Sequence, residues 1–85
     1  MPMKYVMLKL EGGELLPLLF PEFMQHSAVA SSFPAAVISA GRVFIENGRV
    51  VARGHSASLG VSSRDQDSEI IQSYFDGQHV VQQEL

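Results

Sequence analysis

The residues with the most chemical potential in this chain fall between Gly41 and Arg64, in three overlapping groups. Gly54-His55-Ser56-Ala57-Ser58 half-matches the G-x-S-x-G turn that exposes a nucleophilic serine beside an oxyanion hole. The match fails because a serine replaces the last glycine and the stretch reads as strand. The broad sheet that carries such a turn also exceeds what 85 residues can build. No catalytic residue is assigned from it. His26, His55 and His79 have no second histidine at helical i+3 or i+4 spacing and no cysteine to complete a ligand set, so no metal site and no cofactor is expected.

A second group, Leu59-Gly60-Val61-Ser62-Ser63-Arg64, leads into a helix. Free backbone N–H groups, hydroxyls and a guanidinium can surround an anion there, with Ser62, Ser63 and Arg64 as the candidate ligands. Serines in this position more often serve as helix caps, and capping is the first reading. No G-x-x-x-x-G-K-[ST] run is present, which excludes a P-loop.

The third group follows from a turn. Glu46-Asn47-Gly48-Arg49 between two apolar runs predicts a β-hairpin, because a type I′ turn needs positive φ at both central residues and Asn-Gly tolerates it best. The implied register sets Glu46 opposite Arg49, Phe44 opposite Val51, Arg42 opposite Arg53 and Ala40 opposite His55 on one face. Ile45–Val50, Val43–Ala52, Gly41–Gly54 and Ser39–Ser56 lie on the other. The first face, with Arg42, Phe44, Arg49, Val51, Arg53 and His55, is the candidate partner-binding surface. Its arginines can grip phosphates while Phe44 stacks on a base, or they can meet a protein.

Positioning these groups requires the remaining elements. Met3 to Leu10 and Leu15 to Phe20 read as a first hairpin turning at Gly12-Gly13, with Val6 opposite Leu19 and Tyr5 opposite Phe20. Both of its faces are apolar, which implies helix cover, a subunit interface or a bound partner; an interface is the favoured reading. Pro17 assigns its strand to an edge or a bulge. A short helix is expected over about Pro21 to Ser31, ended by Pro34. Strands follow over Ala36 to Glu46 and Arg49 to Ser58. Ser63-Arg64-Asp65-Gln66 has capping-box spacing ahead of the stripe Ile70, Ile71, Tyr74 and Phe75, and Gly77 is suited to end that helix. Residues 78–85 are expected to fray or to add a short strand through Val80-Val81. The fold class is therefore α+β, two-layer, with a four-stranded mainly antiparallel sheet and two helices in the order ββαββα, forming one domain over residues 1–85.

Composition narrows the function classes. A hydrophobic content of 46% with 18% charged residues is that of a folded globular chain. The net charge of −3 argues against a protein devoted to non-specific nucleic-acid binding, which draws on excess Lys and Arg. Asp65, Asp67, Glu69, Asp76 and Glu84 make the C-terminal third acidic while the second hairpin is basic, a polarity suited to self-contact or to a phosphate-bearing ligand. Leu15 to Met24, the longest apolar run, is too short to span a bilayer and is broken by Pro17, Pro21 and Glu22. The expected setting is cytoplasmic, with no membrane partner.

The string Gly54-x-Ser56-x-Ser58-Leu59-Gly60, followed by Ser63-Arg64-x-x-Asp67, resembles a pattern in small uncharacterised proteins encoded by phages and prophages. Ser39-Ala40-Gly41 and Phe20-Pro21-Glu22 followed by His26 resemble the same group. The resemblance implies a phage or prophage origin and a bacterial cytoplasm as the place of action, and it implies no activity.

Taken together, these observations predict a non-enzymatic protein-binding or adaptor module, a homodimer or small homo-oligomer that acts on a host protein. The alternatives are a single-stranded nucleic-acid binder working through the Arg42, Phe44, Arg49 and Arg53 face, and a small anion-ligand domain or enzyme at the start of the second helix.

Overall fold

A computed structural model describes residues 3–77, so the expectations for 78–85, including Val80-Val81 and His79, lie outside the described residues. The elements are β1 (Met3–Lys9), β2 (Leu15–Pro21), α1 (His26–Ala30), β3 (Ala36–Glu46), β4 (Arg49–Arg53), β5 (His55–Ser56), β6 (Val61–Ser62) and α2 (Asp67–Phe75). Strands β1 to β4 form an antiparallel sheet in the order β2-β1-β3-β4, and β5 and β6 pair as a separate ribbon. This is the α+β architecture of four antiparallel strands and two helices that the sequence predicts. Among the described residues no helix is long and apolar enough to cross a membrane.

The Asn47-Gly48 turn forms with both residues at positive φ, 52° and 77°, and the register from Arg42↔Arg53 to Glu46↔Arg49 is the predicted one. Beyond Arg53 the prediction fails. Gly54 takes φ 95° and turns the chain out of β4, so His55-Ser56 pairs with Val61-Ser62 instead of continuing along β3. Ser39, Ala40 and Gly41 pair with Met7, Val6 and Tyr5 of β1.

The first hairpin differs by one residue from the predicted register. Its turn uses three residues, closed by Gly13 N–H to Leu10 O (2.9 Å) and Leu10 N–H to Glu14 O (2.8 Å), with Gly13 left-handed at φ 89°. Val6 therefore faces Leu18, and Tyr5 faces Leu19. A one-residue change exchanges which β2 side chains share a face with each β1 residue. The first helix also begins later than expected, at His26, because Pro21 remains in β2. In α2 the expected Ser63 cap is absent: Gln66 is the N-cap and makes no side-chain capping bond. Gly77 follows the helix at φ 77°, as its position suggests.

Both faces of β1 are buried. Tyr5 and Met7 pack with Val43, Val50 and Ile71 of α2 on one side, whereas Val6 and Leu8 pack with Phe20 and Ala40 under Val29, Leu59 and Val61 on the other. Cover within the chain, one of the three explanations for the two apolar faces, accounts for β1.

Helix α2 also closes the sheet edges. Val50 N–H donates to Gln72 Oε1 (2.8 Å) and Ala52 N–H to Ser68 Oγ (2.9 Å), which occupies the outer side of β4. On β2, the Leu10–Glu14 bond sets the ladder on even-numbered residues, so Pro17 and Pro21 stand at outward positions where their missing N–H costs nothing. Leu15 O accepts from Tyr74 Oη–H at 3.0 Å. Pro17 thus marks an edge strand, as its sequence position predicts.

Candidate functional site

Where β4 ends and the chain turns at Gly54, the face of the sheet opposite α2 opens into a groove of about 630 Å³. Lys4, Arg42, Phe44 and Arg53 line it from the sheet, His26 from α1, and His55 and Ser58 from the β5 side; no carboxylate is among its lining residues. Strand register organises its charge. Lys4 lies directly opposite Arg42, and Arg42 directly opposite Arg53, so three cations form one row across β1, β3 and β4. Neighbouring Cα atoms in such a row stand about 5 Å apart.

Each cation has a different partner. Lys4 Nζ donates to Met24 O at 2.9 Å. Arg53 donates to Glu46 Oε2 at 2.7 Å and lies over the Phe44 ring at 4.5 Å. Arg42 approaches Glu22 only to 3.6 Å, and its guanidinium makes no hydrogen bond among the described residues.

His26 forms the buried end of the groove. Its ring meets Phe20 edge-on, with centroids 5.4 Å apart, and its Nε2 lies 3.0 Å from Gly41 O. A carbonyl only accepts, so Nε2 carries the proton and Nδ1 is left as an acceptor. Burial lowers the pKa of His26 below the ordinary histidine value. The Gly41 carbonyl opposes the shift, while Lys4, Arg42 and His55 reinforce it.

Of the predicted partner-binding residues, Arg42, Phe44, Arg53 and His55 meet in this groove; His55 arrives on β5 rather than on an extended β4. Arg49 and Val51 do not line it. Lys4 and His26 escape the sequence reading because their places depend on the pairing of β1 with β3 and on the late start of α1.

The predicted anion site at Ser62, Ser63 and Arg64 resolves differently. Arg64 holds an anion of the chain itself: Nε and Nη2 donate to Asp67 Oδ1 at 3.1 and 2.9 Å, and the Arg64 backbone N–H donates to Oδ2 at 3.0 Å. Tyr5 Oη–H completes the set at 2.6 Å. Ser63 N–H donates to Gly54 O at 2.9 Å, and Ser62 is an exposed residue of β6.

Asp67 is fully buried. Burial alone would raise its pKa, but Ser39, Tyr5 and Arg64 together hold it below the ordinary aspartate value. The buried Ser39 hydroxyl reaches no partner in hydrogen-bonding geometry, so its share is that of a nearby dipole. Burial first, and Asp67 second, raise the Tyr5 phenol far above its ordinary range. Ser56 is likewise structural. Its buried Oγ accepts from Leu59 N–H at 3.2 Å and closes the turn between β5 and β6.

In comparisons with known protein families, curated proteins and solved structures, the chain matches none of them.

Proposed function

We propose that this protein is a non-enzymatic binding module that takes an acidic segment of a partner protein into the groove. The observation that carries this reading is the Lys4–Arg42–Arg53 row, set in a concavity with no carboxylate among its lining residues. Arginine clusters of this kind recognise acidic motifs through charge-assisted hydrogen bonds. Capture from a bacterial lysate by wild-type protein, compared with Arg42→Glu plus Arg53→Glu, is the test. Bound protein that is lost both in the double variant and at raised salt supports the reading; capture indifferent to both removes it.

Single-stranded nucleic acid is the second reading, favoured by Phe44 beside the cations. It is weaker because Arg53 already covers one face of that ring and Arg49 stands outside the groove. Salt-dependent oligonucleotide binding lost in Arg42→Ala plus Arg53→Ala would make it the better one.

We extend the proposal to a bacterial cytoplasm and a host protein on the resemblance of the Gly54–Gly60 and Ser63–Asp67 strings. The proposed form is a homodimer or small homo-oligomer, resting on the exposed Phe23, Ile45 and Phe75 rather than on β1, whose faces are covered within the chain. Light scattering across a concentration series tests it, and a constant monomer mass rejects it.

A further inference from the structure

The donors left unused in the groove narrow the chemistry of its ligand. Like charges placed directly opposite one another on neighbouring strands destabilise a sheet, yet Lys4, Arg42 and Arg53 occupy three consecutive opposed positions. The glutamates that accompany them do not line the groove. The Arg42–Glu22 pair is 3.6 Å long with both side chains about half exposed, and pairs of that kind contribute little. All five N–H groups of Arg42 therefore lack a hydrogen-bond acceptor among the described residues. Lys4 uses one of its three donors on Met24 O, and the His55 ring has no hydrogen bond among the described residues.

The Arg42 fork and the Lys4 ammonium, beside an Arg53 already hydrogen-bonded to Glu46, offer more free donors than one carboxylate can use. A side-chain carboxylate brings two oxygens and a single charge, whereas a phosphate monoester brings three oxygens and about −1.5 to −2. The ammonium serves as a point charge and the planar fork as a bidentate donor, the division of labour that phosphoryl groups favour. A cavity of about 630 Å³ also admits a phosphorylated side chain with its flanking backbone. Resting on the protein-partner reading above, we infer that the groove recognises a phosphorylated serine or threonine of the partner, its phosphoryl group seated on Arg42 between Lys4 and Arg53.

The test is an NMR titration of isotopically labelled full-length protein with N-acetyl-O-phosphoserine amide, N-acetyl-glutamate amide and inorganic phosphate. Saturable shifts at Lys4, Arg42, Arg53 and His55 are expected, with phosphoserine binding about tenfold more tightly than glutamate. Arg42→Gln should abolish those shifts while the rest of its spectrum shows an intact fold. Glutamate binding as tightly as phosphoserine overturns the inference, as does phosphoserine binding that survives Arg42→Gln. Inorganic phosphate binding as tightly as phosphoserine, or an oligonucleotide binding more tightly at the same residues, also overturns it. If phosphoserine fails while lysate capture still depends on Arg42 and Arg53, the acidic-partner reading stands and the phosphoryl assignment falls. If phosphoserine binds while capture ignores those arginines, the anion site stands and the claim of a protein partner falls.

Discussion

The phenol of Tyr5, at the centre of β1, donates to the carboxylate of Asp67 in the first turn of α2 at 2.6 Å, across 62 positions of sequence. With Arg64 on the other oxygen, this contact fixes the helix to the sheet inside the core. Tyr5→Phe should cost about 1–3 kcal/mol by leaving a buried acceptor short of a donor. Asp67→Ala should cost about 3 kcal/mol, the low end for breaking a buried pair, because Arg64 keeps partial access to solvent. The same contact predicts opposite pH limits. Asp67 has a lowered pKa, so its contribution is present above the unfolded value of about 4 and is lost as pH falls below it. Tyr5 has a raised pKa, so its contribution is complete below about 10 and is lost as pH rises further. Urea titrations across pH should show the acid loss reduced in Asp67→Asn and the alkaline loss reduced in Tyr5→Phe.

His26 adds a separate acid sensitivity at higher pH. Its lowered pKa means that the unfolded chain takes up the proton first, so stability is held above about 6.5 and declines as pH falls below that value. His26→Gln should flatten the stability curve just below about pH 6.5 and leave the Asp67 limb in place.

Gly41 is required by close approach rather than by turn geometry. A Cβ there would lie 2.6 Å from Arg53 O and 3.3 Å from Tyr5 Cε1, and backbone cannot yield as a flexible side chain would. Gly41→Ala should destabilise by about 1–3 kcal/mol. It should also perturb the carbonyl that receives His26, visible as a shifted His26 ring resonance.

Ser68→Ala with Gln72→Ala removes both acceptors on the outer side of β4. Each lost bond should cost about 0.5–1.5 kcal/mol. Light scattering should show the double variant associating more strongly than wild type, since an uncovered edge templates pairing. A mass unchanged from wild type would show that the edge is protected by something else.

How much of this is legible in the sequence depends on whether the deciding contact is local. Asn47-Gly48 fixes its hairpin and so brings Arg42, Phe44 and Arg53 to one face without tertiary information. Gly12-Gly13 fits a two-residue or a three-residue turn, and the two differ in which β2 side chains join each face: the observed one puts Leu15 and Leu19 with Tyr5 and Met7, and Phe20 with Val6 and Leu8. Pro21 suits a helix start as well as an outward strand position, and Gly54 suits a strand as well as a reversal. Lys4 joins the cation row through a pairing almost forty residues away along the chain. Arg64, three positions before Asp67 and outside the helix, reads in sequence as a ligand for an external anion; that it is spent on Asp67, and that the Tyr5 hydroxyl joins them, depends on contacts the local sequence does not show.

Helix α2 reaches three of the four sheet strands: it accepts from Tyr5 on β1, donates to Leu15 on β2 and accepts from Val50 and Ala52 on β4. It is also translated after all of them. Until the helix docks, the outward N–H groups of Val50 and Ala52 have neither Gln72 nor Ser68 to receive them, and β4 is an open border. The same helix therefore completes the core and shuts the sheet's last open border, so a chain that loses α2 loses both at once.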